Sequence, residues 1–200
     1  KKVKDHALRP NFDRHGGHVI KAAQEMGVNP NLAVSMAAVE SSFNPSAISS
    51  SGATGLGQFT RGAWLDRIKG AQHPELKALQ KLSDAKQLEY RNNPRLNSIA
   101  LAENIIVAEK RIKNAFKANG IVSQVTPADI YALHNIGNPG MSVAARQGKM
   151  ARTAVSASAL QLNGGLYVKG SNTTAKEYMN QVTKKLNQGM YDIQNGKSRK

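Results

Sequence analysis

The stretch AAVESSFNPSAISSSGATGLGQFT, residues 37–60, changes character at Glu40. The residues before Glu40 are apolar and patterned as a helix, with Asn29 as the N-cap and Pro30 in the first turn. Serines, glycines and an Asn-Pro break follow Glu40, and they favour a loop or a short β-ribbon. The sequence therefore predicts one carboxyl group at the end of a buried helix, next to a loop of small polar residues.

The position of Glu40 suits acid–base chemistry. Partial burial and the negative end of the helix dipole both disfavour a carboxylate, so we predict that the pKa of Glu40 is raised. A carboxylic acid that is still protonated near neutral pH can donate a proton to a leaving oxygen. The alternative is an ordinary charged residue at a helix end, followed by a flexible serine-rich loop. The hydroxyls and the amide after Glu40 favour a groove for a sugar chain.

Composition favours a mainly α protein. Only 5% of the 200 residues are aromatic, and the apolar share consists mostly of small aliphatic residues, which is typical of closely packed helices. The length predicts one compact unit. Absence of cysteine excludes disulfides and a cysteine nucleophile, and the scattered histidines lack further ligands, so we predict neither a metal nor a cofactor. No apolar run of membrane-spanning length and no signal peptide is visible.

The charge balance is strongly basic, with 28 Lys and Arg residues against 13 Asp and Glu residues, a formal net charge of +15. Such a charge attracts polyanions, and nucleic acid, anionic lipid and the bacterial cell envelope all qualify. The alternative is a surface that is simply kept soluble. No basic stretch is interleaved with aromatic residues, so we predict no specific nucleic-acid partner.

Helix signals recur along the chain. Apolar spacing predicts a helix from Gly17 to Met26, a long central helix from Pro94 to about Asn119, and a helix that starts at Thr126 and Pro127. The apolar side of the central helix is expected at Leu96, Ile99, Ala100, Ile106, Val107 and Ile112. The remaining helical patterns lie near 140–147, 153–162 and 174–194, and NGGLYVKG, residues 163–170, is a candidate strand or flap.

Three motifs carry a resemblance to a known family. ESSFNPSAISSSGATGLGQFT resembles the motif of the lytic transglycosylase family with the soluble-lytic-transglycosylase, goose-lysozyme-like fold, namely Glu-Ser, Asn-Pro, then Ser-x-x-Gly-Ala-x-Gly-Leu-x-Gln. NPRLNSIALAENI is similar to a helix of that family, and YALHNIGNPG resembles its Ala-Tyr-Asn-x-Gly segment in a His-Asn variant associated with bacteriophage virion and ejection proteins. The resemblance covers about residues 17–150.

This resemblance implies a mainly α, lysozyme-like domain with a short β-ribbon or loop after the catalytic helix. We accordingly divide the chain into a basic extension at 1–16, a core at 17–150 and a helical extension at 151–200. The implied reaction is non-hydrolytic cleavage of the bond between N-acetylmuramic acid and N-acetylglucosamine in peptidoglycan, with Glu40 as the single general acid and base, leaving 1,6-anhydro ends. The implied setting is the bacterial cell wall or periplasm, for phage entry or lysis, with other virion proteins as partners.

The resemblance also implies a set of substrate-binding residues, which are Ser49, Ser51, Gln58, Tyr131, His134 and Asn135. Two positions depart from the family pattern. His134 stands where the family usually has Tyr, so either His134 or Tyr131, one turn earlier, is expected to supply the hydrogen bond of that Tyr. Gly57 stands where Met is frequent, which predicts looser packing beneath the groove.

Two rival functions stay open at this point. A muramidase of the same fold would hydrolyse the bond and would need a second carboxylate to place a water, with Asp66, Glu103 and Asp129 as candidates. A basic structural or nucleic-acid-binding virion module would keep the fold as a scaffold. Phe59 and Trp64 are candidates either for a sugar-stacking wall or for the core.

Overall fold

Helices dominate the computed structural model, which describes residues 8–196. We number the α-helices in chain order as α1 Leu8–Met26, α2 Pro30–Ser41, α3 Arg61–Lys69, α4 Pro74–Lys77, α5 Asp84–Glu89, α6 Pro94–Ala118, α7 Pro127–Ile136, α8 Gly140–Arg146, α9 Ala157–Leu162 and α10 Ala175–Gln194. Short 3-10 turns lie at Ala78–Lys81, Tyr90–Asn92, Ala151–Thr153 and Gly170–Asn172.

Extended structure is confined to isolated bridges within the described residues. Thr54 pairs antiparallel with both Ile48 and Phe59 in the loop after α2, and Met150 pairs with Thr174. The predicted mainly α fold is thus confirmed, and the segment after α2 is a loop with two bridges. Of the strand or flap predicted at 163–170, the strand is wrong, because these residues form turns that lead into a 3-10 turn.

Local capping chemistry sets several helix starts where the sequence predicts them. The side chain of Asn29 accepts a hydrogen bond from the amide of Asn31 and caps α2. Thr60 caps α3 in the same way. Thr126 and Asp129 form a reciprocal capping box at the start of α7, with Pro127 in its first turn.

Helix α1 begins at Leu8 rather than at the predicted Gly17. Its buried residues include Leu8, Gly16, Val19 and Ala23, so its apolar side continues through the two glycines at 16 and 17. Glycine lowers helix propensity, but burial of one face outweighs that cost here. Residues 8–16, which we assigned to a basic extension, therefore belong to a packed helix.

The long helix α6 matches its predicted bounds and part of its predicted buried face, since Ile99, Ala100 and Ile112 are buried as expected. Ile106 and Val107 are 41% and 37% exposed, whereas Ile105 and Ala108 are buried. Ile105, Ala108 and Ile112 follow the three- and four-residue spacing of one helix face. The expectation was wrong at Ile106 and Val107 because four apolar residues in a row, 105–108, fit either register.

The chain forms two compact units where one was expected. Among the described residues, one unit comprises 8–104 together with 187–196, and the other comprises Ile105–Leu186. Trp64, Phe43 and Met36 are fully buried in the first unit, and Tyr178 and Met141 in the second. The division falls inside α6 and α10, where no linker or helix breaker marks it. The boundaries after residues 16 and 150 stay predictions, and neither coincides with this division.

Among residues 8–196, no helix combines the length and the apolar character that a bilayer crossing needs.

Candidate active site

Glu40 occupies the last turn of α2, where the helix stops abruptly. Its side chain is half-buried. The helix ends at Ser41, and Ser42 adopts a left-handed conformation with φ 51°, while its amide donates to the carbonyl of Ala38. Phe43 follows with φ 57°. Glu40 is therefore held one residue before a sharp reversal of the chain. The predicted rise of its pKa stays a prediction.

The neighbouring Ser41 ties the helix end to the loop. Its hydroxyl lies 2.8 Å from the carbonyl oxygen of Leu56 and 3.1 Å from that of Ala37, and the side chain is buried. A buried hydroxyl group must find such partners because an unpaired one is costly. This contact fixes the GATGLG turn directly beside the residue that carries the predicted catalytic carboxyl.

The predicted sugar-contacting serines lie together in the loop. The hydroxyls of Ser49 and Ser51 are 2.9 Å apart, and the hydroxyl of Ser49 accepts a hydrogen bond from the amide of Ala53. Ser49 is half-buried and Ser51 is exposed. The pair thus presents one hydroxyl to solvent, and its contact with a sugar stays a prediction.

The side chain of Gln58 stabilises the loop through hydrogen bonds to the loop's own backbone. Its amide nitrogen donates to the carbonyls of Ala47 and Gly55, each at 2.9 Å, and its backbone has φ 55°. Both donor hydrogens are therefore used inside the loop, which leaves the side-chain oxygen for a groove ligand. We predicted a groove-lining amide, and the geometry adds an internal hydrogen-bonding function that the sequence did not indicate.

Asn97 is the polar residue that sequence reasoning missed. This fully buried side chain on α6 accepts from the amide of Gly57 at 2.7 Å and donates to the carbonyls of Arg91 and Thr54 at 2.7 and 3.3 Å. One amide therefore fixes the turn that separates Thr54 from Gln58. A signal was present, since an Asn within the apolar pattern of NSIALAENI needs buried partners.

Close packing explains both glycines of this turn. A Cβ on Gly55 would lie 2.1 Å from the carbonyl oxygen of Arg91, and Gly55 has φ +86°. A Cβ on Gly57 would lie 2.9 Å from the ring of Phe59 and 3.0 Å from the side-chain oxygen of Asn97. The predicted looser packing at Gly57 is therefore wrong, because the side chains of Phe59 and Asn97 fill the space beside this glycine.

Phe59 and Trp64 belong to the core rather than to a sugar-stacking wall. Their side chains are 1% and 0% exposed, and the rings meet edge to face with centroids 5.5 Å apart. The indole nitrogen of Trp64 donates to the carbonyl of Gln87 at 2.7 Å. This hydrogen bond satisfies the polar end of a fully buried Trp.

Two of the three carboxylates considered for hydrolysis have structural functions. Glu103 is buried and accepts from the amides of Gln72 and His73, with a guanidinium nitrogen of Arg67 at 3.7 Å. In the second unit, Asp129 is buried and receives two hydrogen bonds from Arg146 at 2.6 and 2.7 Å. The carboxylate oxygens of Glu103 and Asp129 thus accept hydrogen bonds from protein groups.

The third candidate, Asp66, is exposed on α3.

Glu25, the acid that precedes Glu40 in sequence, is held in a separate cluster. One nitrogen of Arg95 donates to Glu25 at 2.7 Å and to Glu75 at 2.6 Å, while His73 Nε2 lies 2.7 Å from Glu25. Hydrogen bonds from Arg95 and His73 lower the pKa of Glu25 to about 2, and Arg95 also lowers the pKa of Glu75. The ligand atoms of Glu25, His73 and Glu75 are close enough for a metal ion, but Arg95 already donates hydrogen bonds to both carboxylates.

Helix α7 in the second unit carries the other predicted site residues. Tyr131, His134 and Asn135 follow the three- and four-residue spacing of one helix face, with Tyr131 buried and the other two half-buried. The hydroxyl of Tyr178 donates to the side-chain oxygen of Asn135 at 3.3 Å. The predicted residues thus form two groups, one in each unit: Glu40, Ser49, Ser51 and Gln58 in the first, and Tyr131, His134 and Asn135 in the second.

The half-buried Glu40, followed by a braced Ser-Gly loop, corresponds to a known family pattern. Residues 17–103 match the family model of the transglycosylase SLT domain. No curated protein matches the chain. The SLT match includes Glu40 and the whole loop up to Gln58. Over these residues it supports similarity to the lytic transglycosylase, lysozyme-like family.

The SLT match also bears on activity, because it supports a peptidoglycan lytic transglycosylase in general terms and action on the cell wall. It ends at Glu103, so the α7 residues lie outside it. Their link to the SLT family rests on the motif YALHNIGNPG alone.

Proposed function

We propose that this protein is a lytic transglycosylase that cuts the β-1,4 bond between N-acetylmuramic acid and N-acetylglucosamine without consuming water. Glu40 donates its proton to the bridging oxygen as the bond to muramic C1 breaks. The resulting Glu40 carboxylate then removes the proton from the C6 hydroxyl, and O6 bonds to C1. The products are a 1,6-anhydro-muramic end and a free N-acetylglucosamine end, and the substrate's N-acetyl group stabilises the intermediate cation.

One observation carries this proposal, namely the half-buried Glu40 on a helix end that Ser41 fixes to the loop, inside the SLT match. A single acid and base must hold one position in both steps. The hydrogen bonds of Ser41 and the reversal at Ser42 and Phe43 hold the backbone that directly follows Glu40. Ser49, Ser51 and the oxygen of Gln58 are proposed to bind the sugars.

The state of the other acids favours the transglycosylase over the muramidase. A hydrolase of the inverting type needs a second carboxylate that activates a water. Glu103 and Asp129 are 2% and 0% exposed, respectively, and both receive hydrogen bonds from protein groups, so neither can bind a mobile water without losing them. The exposed Asp66 is the hydrolytic alternative that the experiment must address.

Product analysis of digested peptidoglycan tests the reaction. We expect mass spectrometry to find 1,6-anhydro ends with the parent protein, and reducing ends would contradict the transglycosylase. The variant Glu40→Gln should lose about 10²-fold or more of the activity, because general acid–base catalysis typically contributes this much. Asp66→Asn serves as the control and should retain parental activity and products.

We also propose that the enzyme acts as a component of a phage virion during entry or lysis, with other virion proteins as partners. The His134-Asn135 variant of the family motif supports this setting. Proteomic analysis of purified virions that encode this chain should detect it, and its detection only in infected-cell lysate would contradict the virion assignment.

A further inference from the structure

The end of helix α10 packs directly against the helix that carries Glu40. The α10 residues from Asn187 onward belong to the same compact unit as α2. A Cβ on Gly189 would lie 3.1 Å from the Cβ of Ala38 and 4.0 Å from Cγ2 of Val39. Ala38 and Val39 immediately precede Glu40 in α2. The backbone of α10 therefore lies against the last turn of the proposed catalytic helix.

Gly189 is the residue that permits this close approach. Glycine lowers helix propensity, so a glycine inside a 20-residue helix usually has a packing reason. Leu186 and Ile193 are buried and flank Gly189 at three- and four-residue spacing, which places all three on one face of α10. A larger side chain at the centre of this face would have to displace α2 or α10. By contrast, Gly17 in α1 has open space around its Cβ position.

Helix α1 holds the end of α10 in place. A guanidinium nitrogen of Arg9 donates to the carbonyl oxygen of Ile193 at 2.6 Å. This carbonyl belongs to the last turn of α10, where a helix has unpaired carbonyls and attracts positive charge. Helix α1 also packs against α2. The three helices therefore restrain one another, and a shift of α10 away from α2 would stretch the Arg9 hydrogen bond.

We propose that Gly189 is a positioning residue for Glu40, because it lets α10 fix the end of α2 at one distance from the sugar-binding loop. This inference rests on the proposed function. The Glu40 carboxyl must reach the bridging oxygen in the first step and the C6 hydroxyl in the second, so a shift of α2 impairs both proton transfers. Sugar binding should depend less on this contact, because the hydrogen bonds of Ser49 and Gln58 join them to the backbone of their own loop.

Kinetics of Gly189 variants on soluble glycan strands test the proposal. We expect Gly189→Ala to lower kcat about two- to five-fold and Gly189→Leu about 10- to 100-fold, since a misplacement of about 1 Å can cost about 10²-fold. KM should change by less than about two-fold, because the lost interaction acts on the transition state. The matched controls are Gly17→Ala and Gly17→Leu, which make the same changes in a helix at an exposed position, and they should keep parental kcat and KM.

A compensating substitution separates positioning from a loss of stability. Gly189→Ala combined with Ala38→Gly moves one methyl group from α2 to α10 and restores the room between the two helices. The kcat of this double variant should return to within about two-fold of the parent. A purely structural function predicts no recovery, because the new glycine in α2 lowers helix propensity further. The single variant Ala38→Gly completes the double-mutant cycle.

The carboxyl carbon of Glu40, observed by NMR, provides a readout that needs no turnover. Its chemical shift should change in Gly189→Leu and not in Gly17→Leu. Equal kcat losses at positions 189 and 17, an effect on KM alone, or no recovery in the double variant would each overturn the proposal. Reducing ends from the parent would contradict the transglycosylase and leave these comparisons valid, whereas anhydro ends with parental kcat in Gly189→Leu would overturn the positioning function alone.

Discussion

The shape of the loop after Glu40 depends on one side chain from outside that loop, Asn97. Its single amide satisfies one backbone amide and two backbone carbonyls, all in a fully buried position. Three hydrogen bonds from one rigid group define the turn more strictly than the flexible residues of GATGLG could by themselves. Asn97 is accordingly a positioning residue for the proposed groove.

Replacement of Asn97 should destabilise the protein. Asn97→Ala removes all three hydrogen bonds from a fully buried site, so we expect a loss of about 2–4 kcal/mol in the free energy of unfolding. Urea denaturation measures this loss. The control Asn92→Ala changes an exposed Asn and should stay within about 0.5 kcal/mol of the parent. Equal stability of the two variants would contradict the proposed function of Asn97.

At the scale of elements, the loop 42–60 contains two glycines with similar backbone angles and different surroundings. Gly52 has φ +81° and open space around its Cβ position, whereas Gly55 has φ +86° and lies against the carbonyl of Arg91. Substitutions at these two glycines therefore distinguish the free-energy cost of a left-handed backbone from the free-energy cost of a steric clash.

Alanine substitutions at these two positions should differ sharply. Gly52→Ala is expected to cost about 1–2 kcal/mol, the price of a left-handed non-glycine residue. Gly55→Ala adds a clash at 2.1 Å and should cost at least about 2 kcal/mol more, with a displaced loop and reduced peptidoglycan clearing. Thermal denaturation and a clearing assay provide the two readouts. Similar losses in both variants would show that Gly55 is not tightly packed.

Helix starts were predictable from the sequence because capping is local. Asn29-Pro30, Thr60 and Thr126-Pro127 each contain the side chain that satisfies the first amides of their helix. Glu40 and its loop were found through a contiguous motif. By contrast, Asn97 and the Arg95 cluster depend on residues distant in sequence, and their partners follow only from the tertiary fold.

At the scale of the whole molecule, stability should depend on pH through the Arg95 cluster. The pKa of folded Glu25 is about 2, below its ordinary value of 4.5, and that of Glu75 is also lowered. A carboxyl whose folded pKa is depressed stabilises the protein above its unfolded pKa. This contribution is therefore fully present above about pH 5 and is lost as the pH falls toward 2.

Arg95→Gln should remove most of this dependence. The urea midpoint of the parent is expected to fall more between about pH 6 and about pH 3 than the midpoint of the variant. Lys86→Gln is the control, because it breaks only the exposed pair of Lys86 with Glu89, at 3.5 Å. Its pH dependence should match that of the parent. A parental pH dependence in Arg95→Gln would exclude the cluster as the cause.

The organisation into two units was the least predictable feature. Composition and length suggested one body, and the division lies within two continuous helices that carry no proline or glycine cluster at that point. Capping residues, prolines and glycines indicate where helices end, but they do not indicate which residues along a helix contact one another. The mainly α class was predictable because composition and helical periodicity both indicate it without any knowledge of tertiary contacts.

The left-handed backbone conformations of the two residues that follow Ser41 limit how far the protein can be truncated from its N-terminal side. Ser42 and Phe43 each occupy a conformation that costs about 1–2 kcal/mol, and helix α1 helps to hold them there. Asn11 donates to the carbonyl of Ser42 at 3.1 Å, and the ring of Phe12 packs edge-on against Phe43. Both residues precede the start of the family match at residue 17. A fragment that begins at residue 17, where the family match starts, would lack both contacts, so a fragment that keeps the whole of helix α1 must begin no later than Leu8.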